Sequence, residues 1–201
     1  MTDHYYTTEP NAKHEEKTWH FTLYGHDFVF NTDSGVFSKN TVDFGSRTLL
    51  DALAGLDIQP NKVLDVGCGY GPLGLATAFH FPASRVDMVD VNERALNLAQ
   101  KNAADNGINN VQIFSSDGYA NVTEQDYTLI LTNPPIRAGK KVVHAILSGA
   151  KEHLAAQGIL LAVIQKKQGA PSAQKKMQEV FGNCQVILKN KGYFILQSVK
   201  E

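Results

Sequence analysis

Cysteine is nearly absent: Cys68 and Cys184 are the only two in 201 residues, far too few for the disulfide framework of a small secreted domain. A reducing cytoplasm is the expectation. Long hydrophobic runs are missing too, since the longest strongly apolar stretch, Ile159 to Ile164, is far short of a bilayer span. The start Met1-Thr2-Asp3-His4-Tyr5-Tyr6 lacks the basic region and apolar core of a signal peptide, so no membrane association is expected. Neither sign of charge dominates: 19 Lys and Arg face 20 Asp and Glu, a net charge of −1. Such a balance does not advertise a nucleic-acid partner, yet it leaves room for a local basic face. The seven histidines show no His-x-x-x-His spacing and there is no Cys-x-x-Cys, so no metal is expected. No internal repeat is present.

What is there reads as alternating strands and helices. With 43% hydrophobic and 19% charged residues the balance is globular, and the length suits one α/β domain over 19–201 behind a polar, loosely ordered segment at 1–18. Trp19 to Leu23 and Phe28 to Phe30 alternate apolar and polar around a turn at Gly25, which predicts a hairpin within 19–31. Its aromatic residues suit a base-stacking platform, but a half-buried strand face explains them at lower cost and is preferred. Leu49, Leu50, Leu53 and Leu56 then mark a helix.

Lys62-Val63-Leu64-Asp65-Val66 runs into Gly67-Cys68-Gly69-Tyr70-Gly71, and Pro72 to Ala78 takes on helical character. Strand, glycine turn and helix follow in order. Glycine is needed where the backbone takes positive φ or lies directly against a ligand. A dinucleotide fingerprint wants Gly or Ala three residues after Gly69; Pro72 stands there, which starts a helix well but breaks that pattern. Cys68 reads as a small side chain in this loop, with no neighbour in sequence to activate it. Asp90 closes the strand Arg85 to Asp90 at roughly the twenty-residue offset of a ribose-binding carboxylate. After it, Val91-Asn92 leads into a helix with Ala95, Leu98, Ala99 and Ala103 on one face, stopped at Gly107. Val111 to Phe114 is the third strand, with Ser115-Ser116-Asp117-Gly118 at its end. Singly, Asp90 and Asp117 are read more simply as capping or turn residues. Together with the glycine loop they occupy the carboxyl ends of successive strands, the edge at which open α/β sheets bind ligands.

Leu129-Ile130-Leu131-Thr132-Asn133-Pro134-Pro135-Ile136 is the second signal. Two prolines lack N–H donors and force extended geometry on the residues before them, so the chain stops there in a rigid loop. The Asn133 side-chain oxygen and the Pro134 carbonyl are two acceptors suited to a conjugated amine, favouring the positive charge that develops as its nitrogen attacks. An ordinary strand-ending turn is the simpler alternative. Ile130 to Thr132 reads as the fourth strand, Val142 to Leu154 as a helix and Gly158 to Ile164 as the fifth strand. Ala173 to Phe181 is helical, and Gln185 to Leu188 and Tyr193 to Val199 form an antiparallel pair turned at Gly192.

These residues together resemble the class I S-adenosylmethionine-dependent methyltransferases, and within them the small-domain family of ribosomal RNA guanine methyltransferases. The resemblance rests on residues 32–39 and 42–47, Val63 to Gly71, Val89-Asp90-Val91-Asn92, Ser116 to Tyr119 and Asn133 to Lys140. It implies an α/β, Rossmann-like fold: a mostly parallel seven-stranded sheet with an antiparallel last strand, helices on both faces and the hairpin as an extension. S-adenosylmethionine is the implied cofactor, held by Asp65, Gly67, Gly69, Gly71, Asp90, Asn92, Asp117 and Gly118, with Asp117 accepting from the adenine amine. Val36 to Ser38 and Asp43 to Gly45 are implied to form a loop and helix start over the cofactor.

Asn133 and Pro134 are the implied catalytic residues, Pro135 and Ile136 the wall of the acceptor pocket, and Arg137, Lys140 and Lys141 its phosphate contacts, with Lys166 and Lys167 nearby. The implied acceptor is guanine N2 of small-subunit ribosomal RNA, free or in the small ribosomal subunit. Two departures stand out. Many relatives place an aromatic where Ile136 stands, and 201 residues leave no room for the second, degenerate domain of the best-known member. Methylation of a protein glutamine amide, or a non-catalytic cofactor- or RNA-binding module, remain alternatives at this point.

Overall fold

The structure is a computed structural model that describes residues 15–36, 38 and 40–201. The N-terminal segment up to residue 14, together with Phe37 and Lys39 of the loop implied over the cofactor, lies outside the described residues. Strands β1 (Lys17–Leu23) and β2 (His26–Thr32) pair antiparallel as a separate two-stranded sheet. Tyr24 and Gly25 both take positive φ, 51° and 74°, as a two-residue hairpin turn of the twist-matched kind requires. The hairpin is therefore as expected, slightly longer at each end. Phe28 and Phe30 are fully buried and stacked at 5.7 Å, with Trp19 and Phe21 half-buried on the same cluster. Packing, and not base stacking, accounts for these rings.

Helix α1 (Phe44–Ala54) follows, capped by Asp43, whose Oδ1 accepts from the Ser46 amide at 3.1 Å. The main sheet then builds as β3 (Lys62–Val66), α2 (Pro72–His80), β4 (Arg85–Asp90), α3 (Glu93–Asp105) and β5 (Val111–Ser115). It continues as β6 (Tyr127–Thr132), α4 (Lys140–His153), β7 (Leu154–Gln165), α5 (Ala170–Phe181), β8 (Gln185–Asn190) and β9 (Tyr193–Val199). Spatial order is β5-β4-β3-β6-β7-β9-β8. The first five of these run parallel, and β9 is antiparallel to both its neighbours. The expected seven-stranded sheet is present. β6 and the second half of β7 are largely apolar because both faces are covered: α1, α2, α3 and the hairpin pack on one, α4 and α5 on the other.

Several boundaries differ from expectation, among them the starts of α4, β6 and β7. Helix α4 begins at Lys140, not Val142, because Gly139 at φ 98° lets the chain leave a short 3-10 turn (Ile136–Ala138) and enter the helix directly. Strands β6 and β7 begin earlier than Ile130 and Gly158: Tyr127 pairs with Leu154 across a register shift, which lengthens the ladder at its amino end.

Topology fixes where a ligand can sit. Successive strands step outward from β3 to β5 and then return to β6 on the other side, leaving a switch point between β3 and β6. Val66 pairs with Thr132, so the glycine loop and Asn133 leave the sheet side by side at the same height.

Candidate active site

Above the switch point lies a cavity of about 680 Å³. Gly67, Gly69 and Gly71 take φ of 78°, 57° and 98°. At Gly67 and Gly69 nothing lies within 4 Å of where a Cβ would project, and both line the cavity, so the backbone there is bare toward a ligand. Gly71 does not line it. A Cβ there would press Leu75 and Met88 at 3.0 Å, which makes this glycine a packing requirement at the start of α2.

Asp90 is the fixed anion of the cavity. Its Oδ2 accepts from the Gly69 amide at 2.8 Å and its Oδ1 from the Asn92 amide at 2.9 Å, so each oxygen keeps a lone pair for a further donor. Burial pushes its carboxyl up, opposed by the amides of Asn92, Gly69 and Val91. Asp65 is different. It lines the cavity, is fully buried, and neither carboxylate oxygen reaches a hydrogen-bond partner. Burial raises its pKa to about 7, the Gly74 amide pulling the other way and the nearby Asp90 adding to the rise.

Asn92, Asp117 and Gly118 also line the cavity. The Asn92 side chain caps α3 through the Ala95 amide (3.2 Å) and donates to the Gly35 carbonyl (3.1 Å). It fastens the loop after β2 to the strand end. Tyr70, from within the glycine loop, does the same with its hydroxyl, which lies 3.3 Å from the carbonyls of both Ser38 and Thr41. Burial pushes the Cys68 thiol well up, in keeping with a packing role.

The other half of the cavity is built around Asn133. Its Nδ2 donates to both oxygens of Asp43 (3.1 Å each) and to Ser46 Oγ (3.0 Å). A carboxylate only accepts, so Nδ2 must be the atom that faces it and Oδ1 is left for a donor. Asn133, Pro135 and Lys141 line the cavity. Pro134, expected as the second acceptor, is buried and does not line it.

The expectation for Ile136 needs correction. It opens the 3-10 turn and packs half-buried against the core on the α4 and α5 face, because the turn swings its side chain toward the sheet and away from the cavity. Ala138, Val142 and Ala145 supply aliphatic wall in its place. Arg137 and Lys140 are exposed outside the cavity; Lys140 and Lys141 border an adjoining recess with His144 and Lys176.

Several contributors were not assigned a role from the sequence. Asp43 stands at the helix start implied over the cofactor, and the spacing Asp-x-x-Ser marks that cap but not the reach of Asp43 and Ser46 to Asn133. Tyr119 lines the cavity with its ring stacked on His153 at 4.7 Å and its hydroxyl donating to the Ile146 carbonyl. Nothing local in the sequence marks it.

A glycine loop, a strand-end carboxylate and an oriented Asn-Pro-Pro corner sharing one cavity over this sheet define the class: a Rossmann-like methyltransferase. The family described as methyltransferase small domain matches residues 27–197, and the chain belongs to that family. The uncharacterized protein YbxB of Bacillus subtilis (strain 168) is 53% identical over the full length of both chains. Ribosomal RNA small subunit methyltransferase C of Vibrio vulnificus is 32% identical, covering 96% of this chain and 56% of that protein. The 16S rRNA N2 G1207 methyltransferase (RsmC) of T. thermophilus, solved with AdoMet and guanosine, superposes with a TM-score of 0.83 at 27% identity, covering 96% of this chain and 52% of that one. The chain thus spans about half the length of the ribosomal RNA methyltransferases it matches.

Proposed function

We propose that this chain moves the methyl group of S-adenosylmethionine to the exocyclic N2 of a guanine in small-subunit ribosomal RNA. One observation carries the reading: the anchored Nδ2 of Asn133, which leaves Oδ1 as an acceptor in the cavity that the glycine loop also lines. The residues fit the cofactor. The bare backbone at Gly67 and Gly69 admits close approach, Asp90 is placed to accept from the ribose, and the buried Asp65 carboxyl, without a hydrogen-bond partner, is one that a cationic amino-acid group would hold ionised. Asp117 and Gly118 are assigned to the adenine end.

When bound, S-adenosylmethionine supplies a methyl group already activated by its sulfonium. Asn133 Oδ1 and the Pro134 carbonyl accept the two N–H bonds of the guanine amine and favour the positive charge that grows on nitrogen. Alignment does the rest, and the proton leaves to water once the nitrogen is cationic. Pro135 forms the wall beside the base. A base drawn from an RNA helix costs about a few kcal/mol to extrude, and Arg137, Lys140 and Lys141 are assigned to backbone phosphates that offset it.

Support for the acceptor comes from the relatives, whose names specify small-subunit and, in Psychromonas ingrahamii at 30% identity, large-subunit ribosomal RNA. Labelled cofactor incubated with each ribosomal subunit from a strain lacking the protein, followed by mapping of the modified position, tests the proposal. Label on a guanine of small-subunit RNA is expected. Label on large-subunit RNA alone, or on protein, overturns it.

A further inference from the structure

Charge is unevenly spread along this chain. Residues 153–200 hold seven lysines and a single acidic residue, Glu179, although the whole chain carries a net charge of −1. The acidic excess therefore lies in the first three quarters. Part of the basic quarter comes to the carboxyl edge of the sheet: Gln165 at the end of β7 pairs with Tyr193 at the start of β9, and the Lys166 amide donates to the Gly192 carbonyl at 2.7 Å.

Two half-buried aromatic rings stand at that edge. Phe44 opens α1 immediately after Asp43, the residue that orients Asn133, and its ring lies 5.6 Å from that of Tyr193. Cations clamp the pair. Arg47 sits 5.1 Å from the Phe44 ring centre and 5.4 Å from that of Phe21, while Lys191 Nζ lies 5.2 Å from Phe44. Lys189 Nζ lies 4.9 Å from the ring of Phe194, which packs on the α4 and α5 face, so this lysine belongs to the other side of the sheet. Neither Phe44 nor Tyr193 lines the cavity, so the pair is separate from the pocket but joined to it through Asp43 and Ser46.

We infer that Phe44 and Tyr193, with Lys191, form a docking face for the single-stranded RNA that flanks the methylated nucleotide. Aromatic faces accept any base by stacking, and lysines beside them neutralise the connecting phosphates, the combination by which single strands are held without sequence preference. Charge complementarity selects a polyanion: Arg47 and Lys191 stand 5.1 and 5.2 Å from the Phe44 ring centre. The inference rests on the proposed RNA substrate and adds where the strand lies.

Fluorescence anisotropy with a labelled 12-nucleotide single-stranded RNA tests it on the full chain, without turnover. Tyr193→Leu keeps an apolar group on β9 and is expected to weaken binding about ten-fold with its salt dependence unchanged. Lys191→Gln is expected to weaken it by a smaller factor and to reduce the slope of log K against log[salt] by about 0.7, one phosphate contact. Lys101→Gln, on α3 beside Glu16, serves as the control and should bind as the unaltered chain does. Thermal melting and cofactor titration of each variant confirm that the fold is kept.

Unaltered RNA affinity in folded Tyr193→Leu and in Lys191→Gln overturns the docking face. Weaker binding of a glutamine-bearing peptide by those variants, with RNA affinity retained, overturns it as well. The two readings fail separately: RNA methylation absent from the unaltered chain refutes the substrate assignment, whereas intact methylation with unaffected variants refutes only the face.

Discussion

The two halves of the cavity are built in opposite ways. On the cofactor side the carboxylate is held locally: Asp90 accepts from amides 2 and 21 residues away, and Asn92 caps the helix it begins. On the acceptor side Asn133 is oriented by Asp43 and Ser46, 90 and 87 residues distant, across the gap between β6 and α1. The glycine loop and its carboxylate come from the neighbouring strands β3 and β4. The acceptor half needs the whole sheet and α1 in place before its single oxygen points anywhere. The first half is a motif; the second is an assembly.

Substitutions that break one half should spare the other. Asn133→Ala is expected to lower kcat by about 10² to 10³, the loss typical of a removed charge-stabilising group, with the cofactor Kd held within a few-fold. Single-turnover transfer of a tritiated methyl group beside calorimetric titration reads both quantities. Asp90→Ala should do the reverse and weaken cofactor binding by about 1.5–3 kcal/mol, as loss of hydrogen bonds to a charged group does. Calorimetry checks it, and an unchanged Kd would remove Asp90 from the ribose.

Asp43→Asn sharpens the comparison further. Asparagine caps a helix as well as aspartate, so α1 should stay, but one of the two acceptors facing Asn133 Nδ2 becomes a donor. A fall in kcat of about ten-fold, roughly one hydrogen bond, is expected with cofactor affinity unchanged. Steady-state kinetics with a cofactor titration decides it.

The smallest effect lies in pH. Asp65 has a folded pKa near 7, above its ordinary 3.8, so its contribution to stability is present in full below about pH 4 and lost as pH rises through 7. The ligand-free chain should therefore gain in melting temperature from Asp65→Asn at pH 8, and little at pH 4. S-adenosylmethionine, by placing a cation beside this carboxylate, should narrow the difference for the unaltered chain. Melting curves from pH 4 to 8 with and without the cofactor would show it; parallel curves for the two chains would contradict this reading of Asp65.

The contrast between the halves also explains what could be read from the residues alone. Strand, glycine turn and helix at 62–78, the carboxylates Asp90 and Asp117, and the stop at Asn133-Pro134-Pro135 follow from local propensity and spacing. Their convergence on one edge follows from the rules of parallel sheets. Ile136 could not be placed, because whether it faces the cavity or the core depends on a 3-10 turn that the sequence does not mark. Nor could the orientation of Asn133, since its partners lie on an element with no sequence link to β6. The starts of β6 and β7 slipped for a similar reason: a ladder extended across a register shift has no periodicity to betray it.

The hairpin supplies a last consequence. The outer edge of β2 is met by side-chain amides on α3: Asn106 exchanges two hydrogen bonds with the Val29 backbone, and Asn102 two with that of Asn31. A helix thus imitates a neighbouring strand, and a border open to pairing with other chains is closed. Asn102 Nδ2 also reaches the Tyr70 carbonyl at 2.9 Å, so the same amide grips the turn beneath the cavity. Peeling the hairpin away would therefore expose a sticky margin and slacken the ligand cradle in a single event.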